Sequence, residues 1–258
     1  MPYREKRIYS GDFLEVEIYP ITQKEKNKSR KKKVKESKLS QKNLNDKNAK
    51  KHLIRLINTN FTDEDISLTL TYAEKDLPGS EEESCRDVAN YIRRVKRYRK
   101  RTGLPELKYI AVIEYKESSG KERGVRIHHH IIMSGMDRDI AEQIWGKGRA
   151  NADRLKADEF GYEAIARYIT KDPKGSKRWT QSKNLIQPTV RFNDCKYTRR
   201  KAESMAAYQD GRAFEKLYPG YIFTEIKTET NDITEGTYLY IKMRKLQEIK
   251  RTERRGSR

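Results

Sequence analysis

The stretch Val125-Arg126-Ile127-His128-His129-His130-Ile131-Ile132-Met133 holds three of the chain's four histidines in a run of strand-forming residues. Side chains alternate across a strand, so positions i and i+2 share a face. His128 and His130 therefore point together, and His129 points the other way with Ile127 and Ile131. Two imidazoles whose Cα atoms lie about 7 Å apart can converge on one cation if a third ligand approaches from a neighbouring strand. Leu107 to Tyr115 reads as that neighbour, because the Ser-Ser-Gly turn before residue 125 predicts an antiparallel hairpin. Position 114 then comes close to positions 128 to 130. Glu114 is the third candidate ligand, since a carboxylate after Tyr109-Ile110-Ala111-Val112-Ile113 is costly unless it is paired or metal-bound. An isolated His-x-His is more often a surface or packing pair, and a strand-end Glu at a sheet edge would look the same.

Outward from this hairpin, Ile66-Ser67-Leu68-Thr69-Leu70-Thr71-Tyr72 alternates cleanly and predicts a strand that ends before Leu77-Pro78-Gly79. Ser80, with Glu81, Glu82 and Glu83 in the next turn, starts a helix through Val88, Tyr91, Ile92, Val95 and Tyr98 to Gly103. Its far face carries Arg93, Arg94, Lys96, Arg97, Arg99, Lys100 and Arg101. After the histidine strand, Asp137 caps a short helix to Trp145, residues 148–155 return as a strand, and a helix runs from about Asp158 to Lys171. The order strand, helix, strand, strand, helix, strand, helix predicts an α+β fold. Its first six elements match the split βαβ arrangement of ferredoxin-like sheets, an antiparallel sheet of the five-stranded type.

The flanks read differently. Arg7-Ile8-Tyr9 and Phe13 to Tyr19 predict an N-terminal hairpin around Ser10-Gly11-Asp12, within residues 1–23. Residues 24–51 form a basic arm with 13 Lys/Arg against 3 Asp/Glu, whose first part has almost nothing to bury. Ser40 is a plausible cap for a helix striped with Leu44, Leu53, Leu56 and Ile57. The core spans 52–190. Residues 191–245 are an α/β extension of the same domain, with a helix at Arg199 to Tyr208 and strands at 221–226 and 237–241 around an Asn231-Asp232 turn. A basic tail, 246–258, ends the chain.

The formal charge of +20 points to a polyanion, because neutralised phosphates release counterions. Charge alone fits a ribosomal-type or histone-like binder as well as an enzyme. Cys85 and Cys195 stand far apart, which argues against a disulfide framework or a paired-cysteine zinc site and fits a reducing cytoplasm. No apolar stretch approaches bilayer length and the first residues lack a signal-peptide core, so a soluble chain with no membrane partner is expected.

In Ala164-Ile165-Ala166-Arg167-Tyr168-Ile169-Thr170-Lys171, helical i, i+3 spacing places Tyr168 and Lys171 on one side. A phenol beside a basic group can attack phosphorus. With 16 tyrosines in the chain, such a pair also arises easily by chance.

The three signals together, in this order, resemble the HUH endonucleases, and particularly the single-tyrosine replication initiators of filamentous phages and related Gram-positive bacterial elements. Ser67 to Tyr72 is similar to that family's first motif, Arg126 to Met133 to its metal motif, and Ala166 to Lys171 to its tyrosine motif. Trp179 to Pro188 is similar to the segment that follows. His129 departs from the family's usually apolar middle position, and no second tyrosine lies four residues from Tyr168, where Ala164 and Asp172 stand.

The resemblance implies site-specific nicking and rejoining of single-stranded DNA to initiate rolling-circle replication through a covalent 5′-phosphotyrosine. It implies Mg²⁺ or Mn²⁺ on His128, His130 and Glu114, with Tyr168 as nucleophile and Lys171 as electrostatic helper. The substrate would be single-stranded or hairpin origin DNA in a bacterial cytoplasm, gripped by Arg178, Trp179 and Lys183 and by Arg93 and Arg97 of the basic helix. The chain has no Gly-x-x-x-x-Gly-Lys-Ser/Thr motif, so a host helicase, with a host polymerase, would complete the reaction. A plasmid-mobilisation relaxase or single-strand transposase of the same chemistry is the nearest alternative, and a non-catalytic nucleic-acid-binding protein the alternative of another class.

Overall fold

The computed structural model describes residues 2–21, 39–116, 125–171, 177–231 and 236–246. In chain order these form β1 (Tyr3–Ser10), β2 (Phe13–Pro20), α1 (Leu39–Asn60), β3 (Ile66–Thr71), α2 (Glu81–Arg101), β4 (Tyr109–Lys116) and β5 (Val125–Met133). There follow α3 (Arg138–Gln143), β6 (Ala150–Arg154), α4 (Glu163–Ile169), β7 (Thr180–Gln181), β8 (Thr189–Tyr197), α5 (Arg199–Tyr208), α6 (Gly211–Leu217), β9 (Tyr221–Asn231) and β10 (Gly236–Lys245). The fold is α+β, with two antiparallel five-stranded sheets among the described residues. The chain divides into two compact units, Val34–Pro188 and Met1–Lys33 with Thr189–Arg258.

In the Val34–Pro188 unit the strand order is β6-β3-β5-β4-β7. The first four strands have the split βαβ order that the element sequence predicts, and β7 extends the β4 edge through Ala111 and Ile110. Alternation then sorts the side chains into two cores. Leu68, Leu70, Ala111, Ile131 and Met133 face α2 and α3, where Val88, Tyr91, Ile92, Val95 and Trp145 meet them. Ile110, Val112 and Ile132 face α1 and α4, against Leu53, Leu56, Ile57, Ala166 and Ile169.

Helix α2 begins and ends where the sequence directs. The Ser80 hydroxyl accepts from the Glu83 amide at 3.2 Å, and Gly103, at φ 71°, provides the left-handed exit. Its basic face is narrower than expected. Arg99 falls on the same side as Val88, Ile92 and Val95, is 3% exposed, and donates to the Pro105 and Gly135 carbonyls at 2.9 Å. Arg94 is spent on the Ile144 and Trp145 carbonyls.

Two other helices start elsewhere than the sequence suggests. α1 begins at Leu39, so Ser40 lies inside it, and Leu44 is exposed while Leu53, Leu56 and Ile57 are buried. α4 begins at Glu163 rather than Asp158, because Gly161 takes φ 75° in a tight bridge with Asp158. The Ser-Ser-Gly turn, the first part of the basic arm and the basic tail after residue 246 lie outside the described residues, as does the expected Asn231-Asp232 turn beyond Asn231.

The Met1–Lys33 and Thr189–Arg258 unit builds its own sheet, ordered β8-β1-β2-β10-β9. Leu14, Val16, Ile18, Leu239, Ile241 and Met243 line one face beneath α5 and α6. β8, α6 and the short β7 are not anticipated from the sequence; β8 alternates over Thr189 to Asn193, but Val190 and Phe192 are both exposed, so its exposure pattern gives no period.

Trp145 is 1% exposed, donates its indole N–H to the Thr71 carbonyl at 2.7 Å, and packs edge-on against Tyr72, Tyr91 and His129. Trp145→Ala should cost about 3–5 kcal/mol, read as a lower urea midpoint with unchanged slope.

Candidate active site

The β4–β5 pairing sets Glu114 directly opposite His128, with Val112 opposite His130. Because 110, 112 and 114 share parity with 128, 130 and 132 across this register, the three polar side chains emerge on the α1/α4 face of the sheet. One ligand atom from each of Glu114, His128 and His130 lies within 4.8 Å of the others. Glu114 Oε2 is 3.4 Å from His128 Nε2 and 3.3 Å from His130 Nε2.

The far nitrogens of both rings are occupied. His128 Nδ1 lies 2.9 Å from the Arg126 carbonyl, which can only accept, so Nδ1 carries the proton and Nε2 keeps its lone pair for the cluster. His130 Nδ1 lies 3.2 Å from the Thr69 hydroxyl, placed by the β3 register that sets Thr69 opposite His130. Burial, with His128 beside it, pushes the His130 imidazole below the usual histidine range, and Glu114 opposes that shift. Two oriented imidazoles and a carboxylate are a donor set that fits a divalent cation. These residues could hold a metal ion.

His129 belongs to the opposite layer. It is 2% exposed and its Nε2 lies 3.0 Å from both the Tyr72 and Ser84 hydroxyls. Burial, reinforced by its two histidine neighbours, pushes its imidazole down to about 3.

α4 lies on the same sheet face as the cluster. The Tyr168 ring sits 5.2 Å from the His130 ring, edge to face, and 62% of the residue is exposed. Arg167, next to it, is paired with Glu163. Lys171 is exposed and lies past the helix end, where its amide donates to the Tyr168 carbonyl. Among the described residues its ammonium has no ion-pair partner, and because α4 ends at Ile169 the helical i, i+3 spacing does not extend to it.

The remaining candidates are dispersed. Arg178 pairs with Asp46 of α1 across 3.0 Å. Trp179 is half-buried, donates to Gln181 at 2.8 Å and packs near His52. Lys183 is exposed. Arg93 and Arg97 are exposed on α2, the layer on the other side of the sheet from Glu114, His128 and His130. Thr69 escaped the sequence reading; only its inclusion in the Thr-Leu-Thr strand signals it.

Fold and site together define an α+β domain whose split βαβ sheet presents a Glu-His-His cluster beside an exposed tyrosine. Residues 65–173, less than half of the chain, match the family model of the replication-associated protein ORF2/G2P. That span runs from β3 through α4 and contains the cluster and Tyr168. It is consistent with a phage-type replication protein. No curated protein and no solved structure matches the chain. No helix among the described residues is long and apolar enough to cross a membrane.

Proposed function

We propose that this chain is a metal-dependent HUH endonuclease that nicks one DNA strand through Tyr168 and initiates rolling-circle replication. The observation that carries the reading is the exposed Tyr168 phenol against His130, on the sheet face where Glu114, His128 and His130 converge. The replication-associated family matched by residues 65–173 supports it.

His128, His130 and Glu114 would hold Mg²⁺ or Mn²⁺, and imidazole donors favour Mn²⁺ intrinsically. When bound, the ion supplies positive charge to the scissile phosphate. Arg126 and Thr69 orient the two imidazoles, so the chain keeps both Nε2 atoms aimed at one point. The Tyr168 oxygen attacks phosphorus, the Oη–P bond forms, and the P–O3′ bond breaks. The phenol proton leaves, and the departing 3′ oxygen takes up a proton. The products are a 5′-phosphotyrosine and a free 3′-hydroxyl, a primer for a host polymerase on DNA opened by a host helicase. The reverse reaction reseals the strand. Lys171 would approach the phosphate when the strand is bound, with Arg178 and Lys183 along the backbone and Trp179 beneath a base.

The test is incubation of the protein with end-labelled single-stranded oligonucleotides tiled across candidate origins, with Mn²⁺ or with EDTA. A metal-dependent protein–DNA adduct on the 5′ side of the break is expected. Cleavage in EDTA, or a 5′-phosphate product with no adduct, would overturn the reading.

A further inference from the structure

We infer that the outer face of α2 is a second DNA-binding surface, built for the phosphate backbone of a duplex and separate from the site that takes the single strand. The inference deepens the proposed function by giving the duplex flank of an origin its own place on the protein. It rests on that reading only in taking DNA as the ligand.

At 100° per residue, Arg86, Asn90, Arg93, Arg97, Lys100 and Arg101 fall in one stripe along the helix, directly opposite the buried stripe of Val88, Tyr91, Ile92 and Val95. The five cations are exposed. Among the described residues none of them has a carboxylate within ion-pair distance: Arg93 touches Asn90 and Arg101 lies over the Tyr98 ring. From residue 86 to 101 the stripe is about 22 Å long, at 1.5 Å per residue. Its positive end is the C-terminal end, because Glu82 and Glu83 occupy the first turn. A shallow groove of about 420 Å³ beside it is lined by Asn90, Arg93, Arg94, Lys96 and Arg97.

Two features select duplex over single-stranded DNA. Surfaces that hold single strands interleave cations with aromatic faces on which unstacked bases sit. Here Tyr91 is buried, and Tyr98 is half-buried beneath Arg101, so the stripe offers charge and one amide but no open ring. The stripe is also rigid, because α2 is capped at its first turn and anchored by Arg99 and Arg94 to neighbouring backbone. Fixed phosphates of a duplex reward a fixed row of cations, whereas a flexible strand does not need one.

The test uses the full chain with Arg93→Gln, Arg97→Gln and Lys100→Gln combined. Fluorescence anisotropy is read against salt, in EDTA, with a 25-base-pair duplex and with a 25-nucleotide single strand. Duplex affinity should fall by about tenfold or more, and the slope of log K against log salt should flatten by about 0.9 per lost contact. Single-strand affinity should change less than threefold. Equal losses on both DNAs would overturn the assignment, as would no loss on the duplex. A similar loss from Arg212→Gln with Lys216→Gln, two exposed cations of the other unit, would also overturn it by showing only overall charge at work. Because the assay needs no cleavage, a protein that binds duplex through α2 yet forms no adduct would sink the endonuclease reading and leave this one standing.

Discussion

Tyr168→Phe should bind DNA and Mn²⁺ as the parent does yet form no covalent adduct, with nicking reduced by about four orders of magnitude or more. The substitution removes one oxygen and keeps the ring that packs against His130, so a loss of folding is not expected. Two competing tyrosines, Tyr162 and Tyr197, are buried and hydrogen-bonded. Tyr162 is 7% exposed and donates to Asp63 at 2.8 Å. Tyr197 is 3% exposed, shares a hydrogen bond with the Tyr218 hydroxyl, and is pushed above the usual phenol range mainly by burial. Mass spectrometry of the trapped parent complex should therefore return the peptide containing Tyr168. A peptide containing Tyr162 or Tyr197, or a Phe variant that nicks at the parental rate by activating water, would show the mechanism to be wrong even if the metal cluster is right.

The second large effect separates adjacent histidines. His130→Ala removes one of three converging donors and should weaken Mn²⁺ binding at least a hundredfold, since even outer partners of a metal ligand are worth about 10–100-fold. Thr69→Val, which deletes such an outer partner, should fall in that 10–100-fold range. His129→Ala should leave Mn²⁺ affinity within a few-fold. It should instead cost about 2–5 kcal/mol of stability, because it opens a cavity and strips the Tyr72 and Ser84 hydroxyls of their shared partner. Calorimetric titration beside urea unfolding reads both quantities. Equal loss of Mn²⁺ binding in the two histidine variants, or no loss in either, would refute the ligand assignment.

Much of this arrangement is local and so is legible in one dimension. Strand periodicity alone separates His128 and His130 from His129, because the pleat turns successive side chains to opposite faces whatever the strand pairs with. The order of elements is enough for the split βαβ sheet, and the Ser80 cap and Gly103 exit delimit α2 because both act within one turn. That Glu114 comes near His128 also follows from the chain, once a short connection makes the two strands neighbours; that the two stand directly opposite is set by the pairing register, which shifts between Glu114 and Lys116.

What the sequence could not settle depends on contacts between distant segments. Tyr168 meets His130 only because Ala166 and Ile169 dock α4 onto the face that also buries Ile110, Val112 and Ile132. Thr69 reaches His130 through a pairing 61 residues apart. Arg99 looks like one cation of a basic row until the loop carbonyls of Pro105 and Gly135 close around it. The second sheet is the fullest case: β1 and β2 pair with β8 and β10, from the far end of the chain, and no periodicity encodes a partner more than 150 residues away. Alternation along a strand is dictated by backbone stereochemistry and survives in any context. The choice of neighbour is decided by which apolar faces bury each other, and that is a property of the folded chain alone.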